Sequence, residues 1–175
     1  MSGRSPRTGG DAGERHPVEA VRTAAVGDVP RLSELVGELA DAIGSQRGGP
    51  HLVDPEGSGA GGRGVQAWVA SMVGNERAVV LVGTLDEVVV GLGVGHVDGP
   101  PGTPGHGVLD ACFVEPGARG VGVGRLLLDA VVEWMAAHGA RGMDGTALPG
   151  DRAAKNFYES AGFKARLLTM HRAID

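Results

Sequence analysis

The chain has 175 residues, 42% of them hydrophobic, and its 16 basic and 21 acidic side chains give a net charge of −5. Its 32 Gly and 10 Pro stand just below the roughly 25–30% at which an aperiodic chain reads as disordered, but the apolar content describes one domain able to bury a core of Val, Leu and Ala. No run approaches the roughly 18 apolar residues of a membrane span, the single Cys112 excludes an internal disulfide framework and suits a cytoplasmic setting, and the mild acidity without Lys/Arg runs excludes a nucleic-acid footprint.

In chain order, residues 1–17 read as a solvated tail and residues 18–175 as the domain. Val18–Val26 is a strand candidate, punctuated by Gly27 and Asp28, with Asp28 as N-cap and Pro30 in the first turn of a helix. That helix carries Leu32, Leu35, Val36, Leu39 and Ile43 at a spacing of three to four residues. Gly44–Gly64, with eight glycines plus Pro50 and Pro55, reads as a loop, and Val65–Val73 as a short helix with Val65, Trp68, Val69 and Met72 on one face. Ala78–Val82 and Val88–Leu92 form an antiparallel hairpin, followed by a second Gly/Pro loop at Asp98–Gly107 and a strand at Val108–Val114. Glu115–Arg119 is a turn, and Gly122–His138 a long amphipathic helix with Gly139 just past its end. A strand near Gly142–Leu148, a helix Asp151–Ala161 stopped by Gly162, and a final strand Phe163–Ile174 complete a mixed α/β or α+β single domain.

The segment Arg119-Gly120-Val121-Gly122-Val123-Gly124-Arg125 joins a strand to a helix. Three glycines at alternate positions strip the turn of side chains, so backbone N–H groups can converge there with the orphan amides and positive end of the helix. Such a turn suits phosphate or pyrophosphate, with Arg119 and Arg125 supplying charge. The dinucleotide fingerprint fails, because the third glycine counted from Gly122 would fall on Leu127, and no Gly-Lys-Ser/Thr exists for a P-loop. On this segment alone, a plain tight turn explains the glycines too.

Arg119-x-x-Gly122-x-Gly124, after a strand ending Phe113-Val114-Glu115-Pro116, resembles the acyl-CoA signature of the GNAT superfamily of N-acetyltransferases. The run Ala154-Lys155-Asn156-Phe157-Tyr158-Glu159-Ser160-Ala161-Gly162-Phe163 is similar to that superfamily's second signature, and Val21-Arg22-Thr23-Ala24 with Asp28, Leu32 and Leu35 to its first strand and helix. The resemblance spans roughly residues 18–175. It implies a central mixed, splayed sheet of about six to seven strands flanked by about four helices. It also implies acetyl-CoA as cosubstrate, no metal, and direct transfer to a small-molecule or peptide amine. The pyrophosphate would rest on the amides of Arg119, Gly120, Val121, Gly122, Val123 and Gly124, beside Arg125. The pantetheine arm would pair with backbone groups of Phe113 and Val114, and Asn156 would contact the pantetheine or phosphates. One departure stands out: where many members carry Asn seven residues before the tyrosine, this chain has Asp151, a candidate helix N-cap.

Acetyl transfer to an amine needs a neutral amine, a stabilised oxyanion and a proton for the departing thiolate. An alkylamine of pKa near 10.4 costs roughly 4.6 kcal/mol to deprotonate at neutral pH, which a base relieves in part. Asp110 is the candidate base, lying on the strand before the glycine turn and sharing a face with Cys112 and Val114 by alternation. A solvated strand carboxylate is the plain alternative, and a water chain would serve without any carboxylate. The resemblance gives Tyr158, the only tyrosine, the role of general acid, against a plain packing role. Cys112 reads as a small hydrophobe, Glu115 as a lesser base candidate, and the six histidines show no metal-ligand spacing, with His96 and His106 flanking the second loop either as surface side chains or within reach of substrate. Asp54 and Glu56 hint at a cationic acceptor, and the final strand is a possible edge for a homodimer. A non-catalytic acyl-CoA-binding module is the alternative function.

Overall fold

The structure is a computed structural model that describes residues 17–53, 64–100, 104–172 and 174. Apart from Pro17, the expected tail lies outside the described residues, as do Asp54 and Glu56. Strand β1 (Glu19–Thr23) is followed by helices α1 (Val29–Gly44), α2 (Gly49–Val53) and α3 (Gly64–Met72). Strands β2 (Ala78–Leu85), β3 (Val88–Asp98) and β4 (Gly105–Val114) come next, then α4 (Val123–Ala137), β5 (Ala140–Gly145) and α5 (Arg152–Ser160). The strands form one sheet in the order β1-β2-β3-β4-β5, antiparallel throughout except for the parallel pair β4–β5, which α4 connects.

Local chemistry explains the connections. The β2–β3 hairpin turns on Asp86 and Glu87, both at positive φ (48° and 67°), the twist a two-residue hairpin requires. Asp28 precedes α1, but its carboxylate makes no cap bond to that helix; it turns back to Arg22 (2.7 and 2.9 Å) and the Ala25 amide (2.8 Å), tying β1 to the helix start. Asp28 is thereby held down to about 2. Both Gly/Pro breaks carry more regular structure than their composition implies. The first contains α2, while β3 runs out to Asp98 and β4 already begins at Gly105.

The expected final strand is corrected. Residues 163–172 and 174 belong to no strand, so the described sheet has five strands rather than six to seven; five α-helices accompany it, close to the number expected. Leu167, Leu168, Met170 and Ile174 stand 65–95% exposed. Apolar residues along a segment can specify a face, but a strand exists only with a partner, and no described strand lies opposite this one.

Each face of the sheet has its own core. On one, Leu127, Leu128, Val131 and Met135 of α4 pack against Val79, Leu81 and Leu109. On the other, Leu32 and Leu35 of α1 and Val69 of α3 pack against Val80, Val82, Leu92, Val94 and Phe113. The α4 face is paved with glycine. A Cβ on Gly83 would meet Val123 at 2.5 Å, on Gly95 it would meet Met135 at 2.4 Å, and on Gly107 it would meet Met135 at 2.5 Å. Glycines weaken a strand by propensity, but here they let one helix lie close against the sheet.

Candidate active site

Strands β4 and β5 part company midway. Their register runs from Gly105↔Ala140 through Val108↔Asp144 to Leu109↔Gly145 and stops, while β4 continues to Val114 paired only with β3. From Asp110 onward the β5-facing edge of β4 is therefore open, the splay expected beside Phe113 and Val114. At the parting point β4 carries an extra residue. Val94 faces Ala111 and Gly95 faces Leu109, so Asp110 is bulged out of the ladder. The bulge breaks the alternation that would have put Asp110 on a face with Cys112 and Val114. Those two pack with the α4 core, whereas Asp110 bonds His96 Nδ1 at 2.7 Å.

After β4, the 3-10 turn Pro116–Ala118 leads into the glycine turn. Gly120 and Gly122 adopt φ of +83° and +108°, the left-handed region open to glycine, and a Cβ on either would point into open space. Among the described residues, the amides from Gly120 to Gly124 find no hydrogen-bond partner in the chain. Val123 is buried and anchors the start of α4. The result is a cradle of unpaired donors at a helix N-terminus, free of side chains, which suits the phosphates of a CoA-type cosubstrate. The flanking cations are engaged elsewhere. Arg119 Nε donates to the Val114 carbonyl (2.8 Å) with its guanidinium over the Phe113 ring, and Arg125 pairs with Asp129 and donates to the Ser160 carbonyl (3.1 Å).

Helix α5 lies beside the start of α4, where a Cβ on Gly124 would touch the Phe157 ring at 3.6 Å. Asp151 caps it, accepting from the Ala154 amide at 2.9 Å, and also accepts from Gln46 Nε2 beyond α1 (3.2 Å). Tyr158 lies over the end of the β4–β5 ladder, where a Cβ on Gly145 would touch its ring at 3.4 Å. Burial, reinforced by Cys112 and Asp151, pushes its phenol up to about 12. The Cys112 thiol beside it, with Sγ 4.0 Å from the Gly124 carbonyl, is pushed by burial to about 12 as well. Asn156 sits on the exposed side of α5.

On the α3 side of the sheet, Asp110 and His96 line an open cleft of about 340 Å³, together with Trp68, Met72, Arg77 and Asp98. His96 Nε2 is 3.4 Å from Asp98 Oδ1, so the imidazole stands between two carboxylates. Arg77 is spent on the carbonyls of Val97 (2.8 Å) and Gly99. From the sequence alone, His96 reads first as a surface side chain beside the loop. The signal for it lay in the hairpin register, which sets His96 opposite Val108, two residues before Asp110. Glu115 is held away from any such role by its ion pair with Arg31 of α1.

Comparison with protein-family models matches residues 54–163 to the Acetyltransferase (GNAT) family. A search of curated proteins gives no match. Among solved structures, the chain is similar to a single-site mutant of the BH1408 protein from Bacillus halodurans, at 23% identity and a TM-score of 0.71, covering 89% of this chain and 99% of that one. It is also similar to aminoglycoside N-acetyltransferase AAC(6')-Iy in complex with CoA, at 18% identity and a TM-score of 0.69, covering 91% and 97%. A third is ribosomal-protein-alanine N-acetyltransferase from Brucella melitensis biovar Abortus 2308, at 14% identity and a TM-score of 0.63, covering 90% and 100%.

Proposed function

The chain belongs to the GNAT acetyltransferase family, and we propose that it moves an acetyl group from acetyl-CoA to a primary amine by direct attack in a ternary complex. The observation that carries this reading is the juxtaposition at the end of the β4–β5 ladder. The open edge of β4 runs from there toward the unpaired amides of Gly120 to Gly124, and Tyr158 lies over Gly145 at its start.

Bound acetyl-CoA supplies the activated acetyl group, and the chain's own residues do the rest. The amides of Gly120, Val121, Gly122, Val123 and Gly124 would hold the phosphates, with Arg119 and Arg125 bracing the turn through their bonds to Val114 and Ser160. Phe113 and Val114 would offer backbone groups to the pantetheine, and an amide of this stretch would receive the developing oxyanion. Asn156, on the exposed side of α5, would contact the same cosubstrate. Asp110, bulged out at the parting point, takes the proton that the attacking amine must lose. Tyr158 holds its proton throughout the neutral range and gives it to the departing thiolate. A small amine is the favoured acceptor, because the cleft beside Asp110 is of small-molecule size and one structural relative is an aminoglycoside N-acetyltransferase.

Calorimetry with acetyl-CoA, paired with thiol release over a panel of primary amines, tests the reading. Binding accompanied by amine-dependent thiol release is expected. Binding without release on any amine would favour a non-catalytic acyl-CoA-binding module, and absence of binding would remove the reading altogether.

A further inference from the structure

The geometry points to His96 as a positioning residue for Asp110 that also clears the proton Asp110 collects, an inference that rests on the acetyltransferase reading above. The proposal stands on three groups in a row. The Asp110 side chain, 21% exposed, lies at the bulge; the His96 side chain, 31% exposed, bonds it through Nδ1 at 2.7 Å; the Asp98 side chain, 66% exposed, lies 3.4 Å from Nε2. Side-chain exposure thus rises stepwise from Asp110 at the parting of the strands to Asp98. The cleft is also lined by Arg77, whose guanidinium is fixed on two backbone carbonyls, by Asn75, and by the uncharged Trp68 and Met72 of α3.

A base that is partly enclosed must be emptied before the next turnover. When the amine N–H bond breaks, its electron pair stays on nitrogen and the proton forms an O–H bond on Asp110. Between turnovers Nδ1–H donates to the Asp110 carboxylate; once Asp110 has taken the amine proton on its other oxygen, the ring exchanges its own proton through water from Nδ1 to Nε2, and Nδ1 then accepts from the Asp110 O–H. That proton passes to Nδ1, the Nε2 proton leaves to water, and both carboxylates and the starting Nδ1–H tautomer are restored. No oxidant or additional reactant is required, and the net result is one proton moved from amine to solvent. The same 2.7 Å bond holds the Asp110 carboxylate in its bulged position.

The test is steady-state turnover of His96→Ala and His96→Gln in dilute buffer, with an amine that the wild-type protein acetylates, and with imidazole added in steps. Loss of about a hundredfold in kcat is expected for both variants, with KM for acetyl-CoA unchanged, at the lower end of what general acid–base groups contribute. Added imidazole should restore turnover of His96→Ala in proportion to its concentration and leave the wild type unaffected. Full turnover by His96→Gln, which keeps a hydrogen bond but carries no proton, would overturn proton transfer through the ring. So would a loss in His96→Ala that imidazole does not reverse. A wild type that binds acetyl-CoA and acetylates no amine would instead defeat the acetyltransferase reading, and the inference with it. That outcome is distinct from an active wild type matched by its variants.

Discussion

Tyr158 poses a problem of acidity that its neighbour resolves. In water, a phenol near 10 is a slightly weaker acid than a thiol near 8.5, and burial raises Tyr158 further, to about 12. The desolvation responsible is not particular to the phenol. It penalises any anion formed in that place, and the adjacent Cys112 thiol is pushed to about 12 by the same cause. A thiolate released beside Tyr158 would be destabilised to a similar degree, so the proposed donor and its acceptor would remain matched. Because Tyr158 is the only tyrosine, ultraviolet absorbance titration reads its ionisation alone. The folded chain should show no phenolate step at pH 10 and a midpoint near 12. The sign follows from the raised value: the native state keeps its proton more tightly, so any stability owed to this group is present below pH 10 and lost as pH rises toward 12. A step at pH 10 would show an exposed phenol and undo the match between donor and acceptor. Tyr158→Phe keeps the ring over Gly145, so kcat should fall by about a hundredfold while the melting temperature stays close to that of the parent.

At the scale of elements, the position of α4 is set by the glycines beneath it. The close approach is tightest at Gly95, where an added Cβ would lie 2.8 Å from the Val108 carbonyl as well as 2.4 Å from Met135. At Gly93 the nearest atom is a Val131 methyl at 3.1 Å. Gly95→Ala should therefore cost about 2 kcal/mol, since backbone cannot yield as a side-chain tip can, and Gly93→Ala less than about 1. Urea unfolding midpoints of the two variants check the order, and equal midpoints would mean that α4 does not rest on the glycines. This stripe was not legible in the sequence, because a glycine within a strand reads as a weak position and not as a contact surface. The Arg119–Gly124 turn was legible, since alternate glycines before a helix have few other uses. The bulge at Asp110 left no mark: strand periodicity is two, and one extra residue shifts the phase without changing composition. The final strand failed for the opposite reason. Its apolar residues were visible, but the partner a strand needs is a property of the whole sheet.

Across the whole molecule, the parted strands place the candidate cosubstrate site between the two cores. The α4 core abuts the glycine turn through Val123, and Phe113 of β4 belongs to the opposite core. A ligand seated along this line touches elements from both faces, so its binding should stabilise the fold as one unit and not only locally. At a hundred times its dissociation constant, acetyl-CoA contributes about 2.7 kcal/mol, which for a domain of this size raises the melting temperature by roughly 5–10 °C. Gly122→Ala separates the cradle from the scaffold. At φ +108° the alanine is strained, and its Cβ projects into open space before the unpaired amides, meeting no atom of the chain. The unliganded variant should lose about 1–2 kcal/mol from backbone strain alone. It should also lose most of the acetyl-CoA-dependent rise, because the methyl group stands where phosphate oxygens would approach. Thermal unfolding of both proteins with and without acetyl-CoA gives the four temperatures needed. If Gly122→Ala melts lower yet keeps the full ligand-dependent rise, the turn is only a structural bend, and the phosphates must be held elsewhere on the open edge of β4.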